Sequence, residues 1–131
     1  MNQTKYDTFG KLLGEIGQEV TDIVGNPDGV FLYVEAGEGW VGPSLFRDEG
    51  KLVRWFDPTP RLSMLLVDLW EAEDADKRWS AMEYTVTGTK FHTVFVFPEM
   101  FRNDLSINDR REMILNARYG DKPRVYPPIP R

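Results

Sequence analysis

The feature that most constrains this chain is a pair of alternating apolar runs at residues 79–87 and 91–97, separated by Gly88-Thr89-Lys90. Alternation with period two places successive side chains on opposite faces, and so short a glycine-bearing connection forces two such runs into an antiparallel hairpin. In the second run Phe91, Thr93, Phe95 and Phe97 share one face, with His92, Val94 and Val96 on the other. Pro98 ends it.

Residues 30–36, VFLYVEA, read as another strand, with Val30, Leu32 and Val34 on one face and Phe31, Tyr33 and Glu35 on the other. Gly37-Glu38-Gly39 turns the chain into a strand over 40–47, which Gly42-Pro43 should make irregular. Asp48-Glu49-Gly50 leads into a third strand at 51–56. Turns this short make the three antiparallel neighbours.

Helical periodicity appears in three places. Tyr6, Phe9, Leu13, Ile16, Val20, Ile23 and Val24 recur at steps of three and four, and the run stops at Gly25-Asn26-Pro27-Asp28-Gly29. Gly10, Gly14 and Gly17 lie inside this helix, where tight packing on the protein's own sheet is the expectation and close approach to a partner helix the alternative. A second helix opens at Asp57-Pro58-Thr59-Pro60, with Asp57 or Thr59 as N-cap and Pro60 at the first helical position. Its apolar face is Leu62, Leu65, Leu66, Leu69 and Trp70. The acidic residues that follow oppose the helix dipole and should fray into a solvated loop. A last helix spans 106–119, capped by Ser106 and stopped by Gly120, with Met113, Ile114 and Ala117 facing the core. The expected fold class is α+β: one domain over 1–131 with an antiparallel sheet of about five strands. N-terminal, central and C-terminal helices lie on one face or around its ends, and a Pro-rich tail from about 121 docks by Tyr126 or frays.

Composition narrows the function. A hydrophobic fraction of 41% excludes general disorder, and no apolar run reaches the length of a membrane span. The N-terminus lacks the layout of a signal peptide, which makes a cytoplasmic location the expectation. Zero cysteines remove disulfides and thiolate metal sites. Up to Met100 there are 9 Lys/Arg against 17 Asp/Glu, and from Phe101 onward 7 against 4. An acidic body of this kind repels phosphate backbones, so nucleic acid is not the expected partner.

Catalytic equipment is thin. The only histidine, His92, lies in a strand, and Ser44 in Gly42-Pro43-Ser44-Leu45 does not form a nucleophile elbow. Glu71-Ala72-Glu73-Asp74-Ala75-Asp76 lacks EF-hand spacing and reads as a solvated charge run. Asp109-Arg110-Arg111-Glu112 reads as an exposed helix face of mixed charge. The expectation is therefore no enzyme, no metal and no cofactor, and a protein that acts by binding another protein.

The run Trp79-Ser80-Ala81-Met82, then Gly88-Thr89-Lys90-Phe91, then Asp109-Arg110-Arg111-Glu112 and Arg118-Tyr119-Gly120 resembles the YezG-type bacterial immunity proteins. Residues 30–35 and the opening helix fit that pattern more loosely, so the likeness covers about two-thirds of the chain. It implies an antitoxin that neutralises a polymorphic toxin, nucleases among them, by direct binding. The C-terminal segment is richer in Pro and Arg than that pattern. An acidic surface beside aromatic anchors suits a cationic toxin, and Trp70, Glu71, Glu73, Asp74, Asp76 and Trp79 are the candidate contact residues. Two alternatives stand beside it: an interaction or scaffold module that forms a homodimer, and a small-molecule-binding protein or enzyme working through carboxylates.

Overall fold

A computed structural model describes residues 3–127. The elements run α1 (Gln3–Val24), β1 (Val30–Gly37), β2 (Trp40–Asp48), β3 (Val53–Phe56), α2 (Pro60–Glu71), β4 (Ala81–Thr87), β5 (Lys90–Val96), α3 (Ile107–Tyr119) and β6 (Arg124–Val125), with single 3₁₀ turns at Ala75–Lys77 and Pro98–Met100. The strands form one sheet in the order β5-β4-β1-β2-β3-β6. Every pairing is antiparallel except β3 with β6. The α+β class holds, with a sixth strand supplied by the tail.

β1 lies at the centre, paired with β2 on one side and β4 on the other. All its residues from Val30 to Ala36 are buried, because helices cover both faces of the sheet. Val30, Leu32 and Val34 pack under α1 and α2, against Ile16, Val20, Leu62, Leu66 and Leu69. Phe31 and Tyr33 pack on the opposite face with Phe46, Val53 and Leu115 of α3. The expectation that all helices lie on one face or around the ends is thus corrected: α3 forms a third layer. β2 is also more regular than Gly42-Pro43 suggested. Pro43 pairs with Val34, and β3 pairs with β2 only from Leu45 onward, so the missing donor falls beyond the end of β3.

Thr59 caps α2. Its hydroxyl accepts from the Leu62 N–H at 3.1 Å and donates to Glu19 Oε2 of α1 at 2.6 Å, so one side chain closes the helix and ties it to α1. Among the α1 glycines only Gly17 packs on the sheet: a Cβ there would lie 2.8 Å from the Tyr84 hydroxyl, whereas at Gly10 and Gly14 it would meet nothing within 4 Å.

The inward face of α3 differs from the expected one. Met113 and Ala117 are exposed, Ile114 is half-buried, and Leu115 is the buried residue. Half-buried Arg110 and Arg111, together with the exposed Arg118, lay their guanidinium groups over aromatic rings, which apolar periodicity does not register. The Arg111 guanidinium lies 5.1 Å from the Trp55 ring centroid, and that of Arg118 lies 4.2 Å from Phe31. Guanidinium planes stack on aromatic faces, so the layer packs without an apolar stripe. The tail docks by β6: the Val53 N–H donates to the Pro123 carbonyl at 2.8 Å, Lys122 pairs with Asp48 at 2.9 Å, and Tyr126 meets the Trp55 ring at 5.0 Å between centroids. Residues 128–131 of the expected Pro-rich tail lie outside the described residues.

Candidate functional site

The candidate contact residues fall at one end of the molecule, where α2 gives way to the segment leading into β4. The sequence placed Trp70 and Trp79 among them as anchors, and this placement is corrected: both are buried, at 8% and 3% exposure. The Trp70 Nε1–H donates to the Trp79 carbonyl at 2.9 Å, and the Arg78 guanidinium covers its ring at 4.6 Å. These tryptophans hold the end of α2 against β4. Trp79 belongs to the core under α1, yet its Nε1 finds no hydrogen-bond partner among the described residues.

The acidic segment is partly ordered by cations. Lys5, from the first turns of α1, contacts Glu73 and reaches Asp74 at 3.4 Å. The hydrogen bond to Glu73 and the adjoining Asp74 charge hold its ammonium above the ordinary lysine range. Arg78 donates from Nε to the Glu73 carbonyl at 3.1 Å and from Nη2 to the Glu71 carbonyl at 3.1 Å, which gives carbonyls at the end of α2 a cationic partner. Glu71, Asp74 and Asp76 remain exposed, and Glu73 is half-buried.

Two hollows meet here. One, of about 250 Å³, runs between α1 and β5, with Trp79 and Phe95 beneath and Tyr6, Phe97 and Glu73 at its mouth. The other, of about 440 Å³, is lined by Glu73, Asp76, Lys77, Arg78, Phe97, Pro98 and Glu99. They share Glu73 and Phe97. The structure thus brings Glu73, Asp76 and Trp79 together and adds Tyr6, Phe97 and Glu99, while Glu71 lines neither hollow. The aromatics open to solvent are Tyr6, 52% exposed, and Phe97, 39%. In the sequence Tyr6 reads as part of the apolar helix face and Phe97 as the last residue of an alternating strand. The available signal was position: Tyr6 stands a turn ahead of the packed part of its helix face, and Phe97 stands at a strand end against Pro98.

Elsewhere the buried carboxylates are committed. The Glu35 side chain, fully buried, accepts from Arg110 Nε at 2.7 Å, from Arg110 Nη2 at 2.8 Å and from the Tyr33 hydroxyl at 2.6 Å. Arg110 also donates from Nη1 to the carbonyls of Arg102 and Leu105, and its guanidinium lies 4.3 Å from the Phe101 ring centroid. The reading of Asp109-Arg110-Arg111-Glu112 as an exposed mixed-charge face is therefore corrected for its two arginines. The buried hydroxyl of Tyr33 is pushed well above the ordinary tyrosine range, first by burial and then by its bond to Glu35. The other buried acid, Glu19, is bonded to Thr59 and lies 3.4 Å from Arg61. His92 is exposed on β5. Among the described residues no group of three or more His, Asp or Glu side chains is placed to hold a metal ion, and no helix is long and apolar enough to cross a membrane.

No family model matches the chain, and a comparison with curated proteins finds no match.

Proposed function

We propose that this protein is an immunity-type binding protein that neutralises a cationic toxin, nucleases among the candidates, by direct contact at the acidic end described above. Two things support the reading: the resemblance of residues 79–120 to the YezG pattern, and the geometry of that end. The observation that carries it is the pairing of solvent-open aromatics, Tyr6 and Phe97, with carboxylates at Glu73, Asp76 and Glu99 around them. Aromatic side chains offer large contact area for little lost rotamer freedom, and the surrounding negative charge speeds encounter with a basic surface. A toxin whose active cleft binds a polyanion would present such a surface. The protein's role is then occlusion, which asks for no reacting group on its own side.

Co-expression with the toxin encoded beside its gene, followed by co-purification, tests the reading. Protection of the host together with a stable complex is the expected result. Binding should weaken for the double variant Asp76→Lys/Glu99→Lys and fall steeply with ionic strength. A protein that neither bound nor protected against that toxin would end the proposal.

A further inference from the structure

The sheet's two edges are treated differently. At one end β6 is two residues long, carries Arg124 and is bounded by Pro123 and Pro127, features that discourage further strand pairing. At the other end, among the described residues, β5 pairs only with β4. It is seven residues long, its only fixed charge is Lys90 at its start, and no proline interrupts it. The backbone phase of this edge follows from β4. The Ser80 and Val86 carbonyls face β1, accepting from Ala36 and Gly29. The odd-numbered residues of β4 therefore face β5 and engage Lys90, His92, Val94 and Val96. Phe91, Thr93 and Phe95 are left with N–H and C=O groups turned outward.

Exposed apolar side chains gather along the same edge. Phe91 is 45% exposed and Val94 46%, and Phe97 follows immediately after the strand. α1 passes over this edge: Gly14 and Phe91 line one hollow beneath it, and Phe9 and Phe97 another. An unguarded strand edge under an apolar fringe is a template for pairing.

We propose that the occupant of this edge is a second copy of the chain, added antiparallel through β5 so that the two sheets become one. This goes beyond the toxin reading and does not depend on it; because the second copy covers Phe97 and engages Glu99, it and a toxin compete for that corner of the molecule. A two-fold axis at Val94 places Thr93 opposite Phe95 of the second copy, which matches outward backbone groups with outward backbone groups, and sets the Phe91 side chain beside Phe97, whose carbonyl already accepts from the Met100 N–H. It also covers the exposed aromatic at each end of the strand with that of the other copy. Charge selects the same arrangement. β5 has Lys90 at its start and Glu99 in the 3₁₀ turn just past its end, so antiparallel pairing brings Lys90 of each copy toward the turn that carries Glu99 of the other. The segment from Phe91 to Phe97 holds no carboxylate, so two chains of net charge -5 meet without setting strand carboxylates against each other.

Sedimentation equilibrium of the protein alone, across micromolar concentrations, tests this. The expected mass is twice 15.2 kDa at the upper end, falling on dilution. Val94→Glu and Val94→Lys each put like charges on the axis, and each should weaken self-association by ~100-fold or more. Because Val94 is half exposed, both variants should keep the circular dichroism and melting behaviour of the parent. An equimolar mixture of the two should recover the doubled mass, since opposite charges then face each other across the axis. A parent protein of single mass throughout, a Val94→Glu variant that dimerises as the parent does, or a mixture that stays monomeric overturns the proposal.

Discussion

Glu35 and Arg110 lie 75 residues apart in the chain and meet through two hydrogen bonds of 2.7 and 2.8 Å, with the carboxylate fully buried and the guanidinium nearly so. This pair joins the central strand to α3. Breaking a buried ion pair from one side leaves an uncompensated charge, whereas replacing both partners removes the desolvation cost along with the attraction. Glu35→Leu should therefore cost about 3–5 kcal/mol of stability. The double variant Glu35→Leu/Arg110→Met should cost clearly less than Glu35→Leu alone. Urea unfolding at neutral pH compares them, and equal losses would show that the pair is not coupled.

Gly17 and Tyr84 make a second testable contact. Glycine in a helix interior costs about 0.5–1 kcal/mol relative to alanine. At Gly10 and Gly14 a methyl group meets open space, so alanine at either should raise stability by about that amount. At Gly17 the methyl would sit 2.8 Å from the Tyr84 hydroxyl, and the gain should vanish or reverse. Combining Gly17→Ala with Tyr84→Phe should restore it. These melting measurements belong at concentrations where the chain is dilute, so that association does not contribute.

Alkaline pH should destabilise the fold. Burial pushes the Tyr84 hydroxyl up to about 12, from an ordinary value of 10.0. A group whose pKa is raised on folding contributes stability that is fully present below its unfolded value and is lost as pH rises through the folded one. The Tyr84 contribution to the unfolding free energy should therefore be constant below pH 10.0 and be lost between there and about 12. Tyr33 acts in the same direction. In Tyr84→Phe the decline should be shallower, and a decline identical to the parent's would discount Tyr84 as its source.

The acidic end separates two kinds of residue. Trp79→Ala removes a buried ring, and its effect should be a stability loss of about 3–5 kcal/mol. Asp76→Asn and Glu99→Gln, on exposed positions, should leave melting within about 0.5 kcal/mol of the parent. They should instead slow association with a cationic partner, and that slowing should disappear at high salt. Stopped-flow association at two ionic strengths, beside thermal melts, distinguishes these outcomes.

Local pattern was enough to place most elements. Pro60 in the first turn of α2, the Ser106 cap and the stop at Gly120 are decided by backbone chemistry within a few residues and stand where the sequence puts them; of the two caps open for α2 the structure takes Thr59 over Asp57, and the hairpin turn closes at Gly88-Thr89 with Lys90 already paired to Thr87. The two faces of β1 follow from alternation alone. The α+β class follows from the order of these pieces.

What the sequence could not supply was which face met what. α3 shows no apolar stripe because Arg110 and Arg111 pack on Phe101 and Trp55 and the exposed Arg118 lays its guanidinium over Phe31, and a charged letter reads as solvent-facing until its aromatic or carboxylate partner is known. The carboxylate of Glu35 and the guanidinium of Arg110 are unremarkable in a string and become a buried pair only when α3 folds over β1. The candidate site shows the same division. Its carboxylates were legible as a charge run, but the exposed aromatics beside them were not. Trp70 and Trp79 looked like anchors and are core, while Tyr6 and Phe97, members of an apolar helix face and of an alternating strand in the sequence, are open to solvent. Burial depends on which elements end together in space, and that relation spans residues from 6 to 99, far beyond the range of any local pattern.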